Sequence, residues 1–264
     1  GFTFSLLVLF VNNSYVFFKS LPSPKSIGKI NYSLSTHIFD RDGRLLYEFY
    51  REQHRTTVKL QNLPSYVWQA AVAIEDKDFF KHSGISPIGG MIRALKENII
   101  NDRLQGGSTI TQQLVKSALL TPERTIQRKM KEIILALWTE RLFNKEEILE
   151  MYLNQVPYGG SSYGIEEASK TYFGKPSKAL KIHEAALLAG LPQAPSLYSP
   201  QINPRLTKVR RDEVLKKMFE QRYISENEYN NTVKTLVSVL PPRTAIKSPH
   251  FVFFVKNQLI QTYG

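Results

Sequence analysis

Residues 121–143 read TPERTIQRKMKEIILALWTERLF, and the fold turns on how this stretch is read. Thr121 and Pro122 form a helix start, because a threonine hydroxyl caps the first free amides and proline is tolerated in the first turn. No glycine or proline interrupts residues 123–143, so one helix is expected to run through ERTIQRKMKEIILALWTERLF. Arg124, Arg128 and Glu132 are spaced four apart and share a face with gradual drift. Lys129 lies one turn before Glu132. From Arg103 to Lys131 the basic residues are Arg103, Lys116, Arg124, Arg128, Lys129 and Lys131, and Glu123 is the only acid. Two readings fit this spacing equally. One is a phosphate-binding surface, where arginine forks and lysine point charges serve best. The other is a solvated basic helix face with one Arg128–Glu132 salt bridge, worth little at a surface.

Upstream, residues 105–117 read QGGSTITQQLVKS. The stretch has the look of a phosphate loop, but no lysine follows Gly106 or Gly107 as the GxxxxGK[ST] pattern requires. Near Gly174 the order is Gly-Lys-Pro, with Ser169 where the pattern's first glycine should stand. Further upstream, residues 74–85 read IEDKDFFKHSGI. Val67, Ala70, Ala71 and Ile74 fall at helical spacing after Pro64, and Gly84 is the expected helix stop. Glu75 follows that apolar stripe and therefore sits at the edge of a core. Asp76, Asp78 and His82 lie near it. Clustered acids in a partly dry cleft can act as acid or base. A solvated helix end with acids and a capping histidine has the same sequence.

Downstream, Asn144 with Glu147 forms a capping box before EEILEMYLN, and Ser225 with Glu228 forms another. Short helices are expected in IEEASKTYFGK, IHEAALLAGL and TKVRRDEVLKKMFEQRY, separated by PYGGSSYG and PQAPSLYSP. Near the N-terminus, THIFDRDGRLLYEFY places two apolar runs around Asp42-Gly43, a β-hairpin signal. The chain reads as mainly α with a small N-terminal β-element.

Composition narrows the function. The 264 residues are 42% hydrophobic, enough for a sizeable core, and carry a formal charge of +12. Such a charge suits an anionic partner: nucleic acid, a membrane surface or a phosphorylated substrate. The absence of cysteine excludes disulfides, Cys-ligated zinc and thiol nucleophiles. His37, His54, His183 and His250 have no metal-ligand spacing, so no metal residues are assigned. None of the nucleic-acid motifs is present. Residues 1–18, GFTFSLLVLFVNNSYVFF, carry no charge before Lys19. They read as a membrane-spanning helix whose start has been cut off, with a buried core helix as the alternative. No small-residue cleavage site follows, which disfavours a signal peptide. The chain does not begin with Met, which suits a fragment or processed form. LPSPKSIGK is a linker, and the apolar run after residue 250 looks like the entry to something further along.

Taken together, these segments resemble the peptidoglycan glycosyltransferases, the lysozyme-like transglycosylases that polymerise lipid II. IEDKDFFKHSGI resembles their first motif, QGGSTITQQLVKS the second and RTIQRKMKEIILALWTE the third. KEEILEMYLNQVPYGGSSYGIEEASKTYFGK and HEAALLAGLPQAPSLYSP resemble the fourth and fifth. The match covers roughly Leu63 to Tyr229, in the right order and spacing, and five ordered motifs are far more specific than one. The resemblance implies a lysozyme-like two-lobed helical domain over residues 63–240, preceded by an anchor remnant (1–18) and a linker and hairpin region (19–62). Residues 241–264 would begin a linker to a transpeptidase domain like that of bifunctional penicillin-binding proteins. The catalytic base falls on Glu75 and the second essential carboxylate on Glu132. Contacts to the substrate diphosphate fall on Ser108, Gln113, Lys116, Arg124, Arg128 and Lys129.

Two departures stand out: Ser86 where the first motif usually has Asp, and Ser117 where the second usually has Asn. Both bear on loop packing and on any metal contact nearby. The implied reaction is an inverting glycosyl transfer with release of polyprenyl diphosphate. No cofactor is called for, and a divalent cation such as magnesium is an option the residues do not demand. The implied partners are lipid II, the growing lipid-linked glycan strand and membrane lipids, with no nucleic acid. The implied location is the plasma membrane, single-pass, with the catalytic domain on the extracytoplasmic face. Residues 91–100, MIRALKENII, would dip into the membrane surface, although a core helix would look much the same. Two rival readings are a lysozyme-like hydrolase or lytic transglycosylase, and a non-catalytic membrane-anchored scaffold. A hydrolase has no use for the basic cluster, and the intact Glu75 and Glu132 argue against the scaffold.

Overall fold

A computed structural model describes residues 4, 17–27, 36–43, 45–49, 56–85, 107–121, 123, 125–159, 162–241, 251–252, 254–255 and 257–259, with residues 36–39 and 45–49 described in backbone only. The described residues are mainly helical. Strands β1 (Thr36–Phe39) and β2 (Leu45–Phe49) pair antiparallel, with Thr36 opposite Phe49 and an irregularity between Ile38 and Phe39. The intervening turn is tied by the Gly43 amide donating to the Asp40 carbonyl. The helices follow in chain order: α1 (Ser65–Glu75), α2 (Ile110–Leu119), α3 (Ile126–Leu142), α4 (Lys145–Gln155), α5 (Ile165–Phe173), α6 (Ile182–Ala189), α7 (Pro204–Glu220) and α8 (Glu226–Lys234).

Local capping chemistry sets many of these boundaries. Thr109 and Gln112 form a reciprocal capping box at the start of α2. Asn144 and Glu147 do the same at α4, each side chain accepting the other's amide at 2.9 and 2.8 Å, and Ser225 with Glu228 opens α8. Two expected boundaries move. Helix α3 starts at Ile126, not at Thr121, because Thr125 is the residue whose hydroxyl accepts the Arg128 amide. Helix α1 stops at Glu75, well before Gly84, and the chain then makes a 3₁₀ turn at Phe79–Lys81. Gly84 still carries a constraint: its φ is +83°, and a Cβ there would lie 2.8 Å from Glu140 Cγ.

The chain forms two compact units, one of residues 1–29 and 75–152 and the other of residues 30–74 and 153–264. In the first, α2 packs on α3, and a short turn at Pro24–Ser26 also lies against α3. Its buried apolar residues include Phe79, Ile110, Leu114, Leu135, Ala136, Ile148 and Leu149. In the second, α6 packs on α7, and α8 packs on both. Ala185, Ala186, Leu187, Leu188 and Ala189 of α6 are all buried, as expected of a helix that is apolar all round. Gly164 opens α5 with φ +81°, and a Cβ there would meet the Asn154 carbonyl oxygen at 2.7 Å.

Among the described residues, no helix is long and apolar enough to cross a membrane. The anchor expected at residues 1–18 lies almost wholly outside the described residues, as do MIRALKENII, Ser86 and Arg124.

Candidate active site

Six of the eight site residues expected from sequence are joined in the first unit by hydrogen bonds or ion pairs. Glu75 is the last residue of α1 and is half-buried. Its Oε2 accepts a hydrogen bond of 2.7 Å from Nε2 of Gln113, one turn into α2. The same amide points at the Ser108 carbonyl at 3.5 Å, and the Tyr152 hydroxyl lies 3.5 Å from Gln113 Oε1. Ser108 Oγ accepts from Lys129 Nζ at 3.1 Å. Lys129 in turn donates to Glu132 Oε1 in a short ion pair. A polar chain therefore runs from Glu75 through Gln113, Ser108 and Lys129 to Glu132.

Glu132 is 1% exposed and also faces Arg128 Nη1 at 3.5 Å. This is not a solvated helix face, so the weak surface salt bridge is set aside. Burying a carboxylate demands charge partners, and Lys129 and Arg128 supply them. Nε and Nη1 of Arg128 are themselves buried and have no hydrogen-bond partner among the described residues. Lys116 is exposed on the last turn of α2. Because α3 begins at Ile126, helical spacing links only Arg128, Lys129 and Glu132; Arg124 falls outside the described residues.

The polar stretch at 105–117 divides in two. Its hydroxyls and amides do not share a single role. Thr109 and Gln112 are buried and cap α2, and buried Thr111 donates to Glu140 Oε1 at 2.5 Å. Ser108, Gln113 and Lys116 are left for the site. The spacing Thr-x-x-Gln, a capping-box signature, could have revealed this. Tyr152 was not foreseen, and an aromatic in an amphipathic helix gives no signal of a polar role.

A family model described as Transglycosylase matches residues 42–219. The chain belongs to the transglycosylase family. It is 41% identical over 248 residues to penicillin-binding protein 1A of Aquifex aeolicus, covering 94% of this chain and 34% of that protein. It is 35% identical over 247 residues to penicillin-binding protein 1A of Escherichia coli, covering 92% of this chain and 29% of that protein. Among solved structures, penicillin-binding protein 1A of Haemophilus influenzae matches with a TM-score of 0.56 and 26% identity, over 89% of this chain and 25% of that one. The chain thus spans about a third or less of the length of these relatives. Of the two motif carboxylates of this transglycosylase, Glu75 receives an amide and Glu132 is held between two cations.

Proposed function

We propose that the chain is a peptidoglycan glycosyltransferase that polymerises lipid II by inverting transfer. Glu75 takes the proton from the 4-hydroxyl of the acceptor. That oxygen forms a bond to the anomeric carbon of the donor chain on the face opposite the diphosphate. The carbon–oxygen bond to the diphosphate breaks, and polyprenyl diphosphate leaves with the electron pair. A diphosphate is a good leaving group, so the site needs charge stabilisation more than a strong acid. Gln113 orients the Glu75 carboxylate. Ser108, Lys116, Arg124, Arg128 and Lys129 hold the diphosphate, and Glu132 holds Arg128 and Lys129 in place.

The observation that supports this reading most is Arg128. Its Nε and Nη1 are buried with no hydrogen-bond partner among the described residues, and a buried donor in that state gains much from an anionic acceptor. Magnesium could share the diphosphate charge. In the same reading the apolar stretch 1–18 anchors the protein in the plasma membrane, with the catalytic units on the extracytoplasmic face and a transpeptidase domain following in the full-length protein.

The test is a paired assay of the full-length protein. Lipid II should be converted to polymer with one polyprenyl diphosphate released per bond, and purified undecorated strands should stay uncut. Fragments released from strands with no polymer formed would overturn the proposal in favour of a hydrolase.

A further inference from the structure

The turn that closes α7 reaches back to α1, the helix that ends on Glu75. Arg222 has φ +61°, and among the described residues no other residue apart from glycine has a positive φ. The Arg222 amide donates to the Phe219 carbonyl and the Tyr223 amide to the Met218 carbonyl, both at 2.9 Å. This is the left-handed helix end that glycine usually supplies, because other L residues resist it. Here the turn is kept without the glycine, and it sets two side chains on α1. Gln221 Nε2 donates to the Ala73 carbonyl at 2.9 Å. The Tyr223 ring meets the Trp68 ring edge to face, with centroids 6.3 Å apart.

The Ala73 carbonyl needs that donor. The last four carbonyls of a helix have no partner within it, and Ala73 lies in the last turn of α1. It is buried, with 4% exposure, and a buried carbonyl without a donor is costly. The common remedies are missing at this helix end. No residue between Glu75 and Gly84 turns left-handed, and the last turn of α1 carries no basic side chain. A glutamine amide can bond to a carbonyl only through its nitrogen, which settles the end of Gln221 that faces Ala73. Gln221 lies outside the five sequence motifs and beyond residues 42–219 matched by the family model.

We propose that Gln221 is a positioning residue: it caps the last turn of α1 and so fixes the direction in which that helix presents Glu75, two residues after Ala73. It acts on the reaction through the backbone of α1. The inference rests on the polymerase reading above for its kinetic test, but not for its structural one.

The experiment uses the full-length protein and the variants Gln221→Met, Gln221→Glu and Gln221→Lys. Turnover and KM for lipid II are measured together with melting temperature and amide hydrogen exchange over residues 73–77. Gln221→Met keeps the length of the side chain and removes the donor. It should lower kcat by roughly 10- to 100-fold, the size expected of an ångström-scale misplacement. KM should stay within about twofold, the pattern of a loss confined to the transition state. Exchange over 73–77 should quicken as the uncapped turn frays. Gln221→Glu sets an acceptor against an acceptor and should be at least as slow as Gln221→Met. Gln221→Lys restores a donor of similar reach, so its kcat and its exchange should stand closer to wild type than to Gln221→Met.

Wild-type kcat in Gln221→Met would overturn the proposal, with or without a lower melting temperature, because a purely structural contact moves only the latter. Gln221→Lys as slow as Gln221→Met would overturn it too, since the donor would then be irrelevant. If Gln221→Met does not fold, the other two variants decide: Gln221→Lys faster than Gln221→Glu supports the cap, and equal turnover overturns it. If the wild type makes no polymer, the polymerase reading fails instead. Exchange over 73–77 then decides alone: exchange quickened by loss of the donor supports the cap, and unchanged exchange overturns it.

Discussion

Arg128 in the first unit and Arg211 in the second are both arginines sunk among helices, and they dispose of their donors differently. Arg211, with 3% of its side chain exposed, gives Nη1 to the Thr235 carbonyl, Nη2 to the Val233 carbonyl, and Nε with Nη2 to Asp212. Every nitrogen of the fork has an acceptor, and two of those acceptors are backbone carbonyls at the end of α8. Arg128, 16% exposed, faces Glu132 at 3.5 Å and leaves Nε and Nη1 without a hydrogen bond among the described residues. A saturated arginine ties helices together. One with buried donors to spare is costly to the fold and has the means to hold an anion.

The carboxylates repeat the contrast. Glu166 in the second unit receives the amide and hydroxyl of Ser177 at 2.8 and 2.5 Å and pairs with Lys170. Burial alone would raise its pKa, but the Ser177 hydrogen bonds and the Lys170 charge outweigh it, and the net direction is below the ordinary 4.5. Tyr172 in the same unit is pushed up to about 12 by burial, and its hydroxyl donates to the Tyr158 carbonyl at 2.9 Å. These groups serve the fold. Glu75 instead takes a side-chain amide that itself hangs on the start of α2.

This contrast can be broken at several points. The largest effect is expected at Glu75. Glu75→Gln is nearly isosteric and should fold normally yet lose roughly 10²- to 10⁴-fold in polymerisation rate, the worth of a general base. Near wild-type polymer formation would remove Glu75 from that role. Next comes Lys129→Ala, expected to slow polymerisation by about 10- to 150-fold if the lost contact of about 1.5–3 kcal/mol is made in the transition state. A change in KM alone would show uniform binding instead.

Arg211→Ala should act on stability. Taking the guanidinium from the Thr235 and Val233 carbonyls, with Asp212 kept only by Lys208, should cost about 2–3 kcal/mol and lower the melting temperature by roughly 4–12 °C. Turnover of the folded fraction should be unchanged, and a loss of turnover without a melting shift would contradict the assignment. The smallest effect concerns Glu166. Its folded pKa is depressed, so its contribution is complete above the ordinary value and disappears as pH falls through the folded one. Glu166→Gln should therefore lower the denaturation midpoint at neutral pH and leave it close to wild type under strongly acidic conditions. An equal loss at both pH values would show that packing, not charge, sets its worth.

Much of the site was legible because short motifs carried it. The resemblance named Glu75, Ser108, Gln113, Lys129 and Glu132 before any distance was known, and the capping boxes at Asn144 and Ser225 follow from local chemistry alone. What was not legible depended on contacts far apart in the chain. Thr121 and Thr125 are equally good caps by composition, and the hydroxyl that finds an amide is Thr125. Gly84 reads as a helix stop, but α1 ends at Glu75, and Asp76 turns to the amide of Ile110, thirty-four residues on. The buried Thr111–Glu140 contact joins two helices, and no periodicity within either one announces it.

The most direct measurement is Arg128→Ala, with polymerisation rate and melting temperature read on the same sample. A donor kept for substrate predicts a rate loss of about 10- to 150-fold with only a small fall in melting temperature, since Lys129 stays on the buried Glu132 and the loss of the Arg128 pairing is offset by removing buried donors that have no hydrogen bond among the described residues. A melting temperature that falls as far as that of Arg211→Ala, with turnover of the folded protein intact, would make Arg128 a structural arginine like its counterpart and contradict the account.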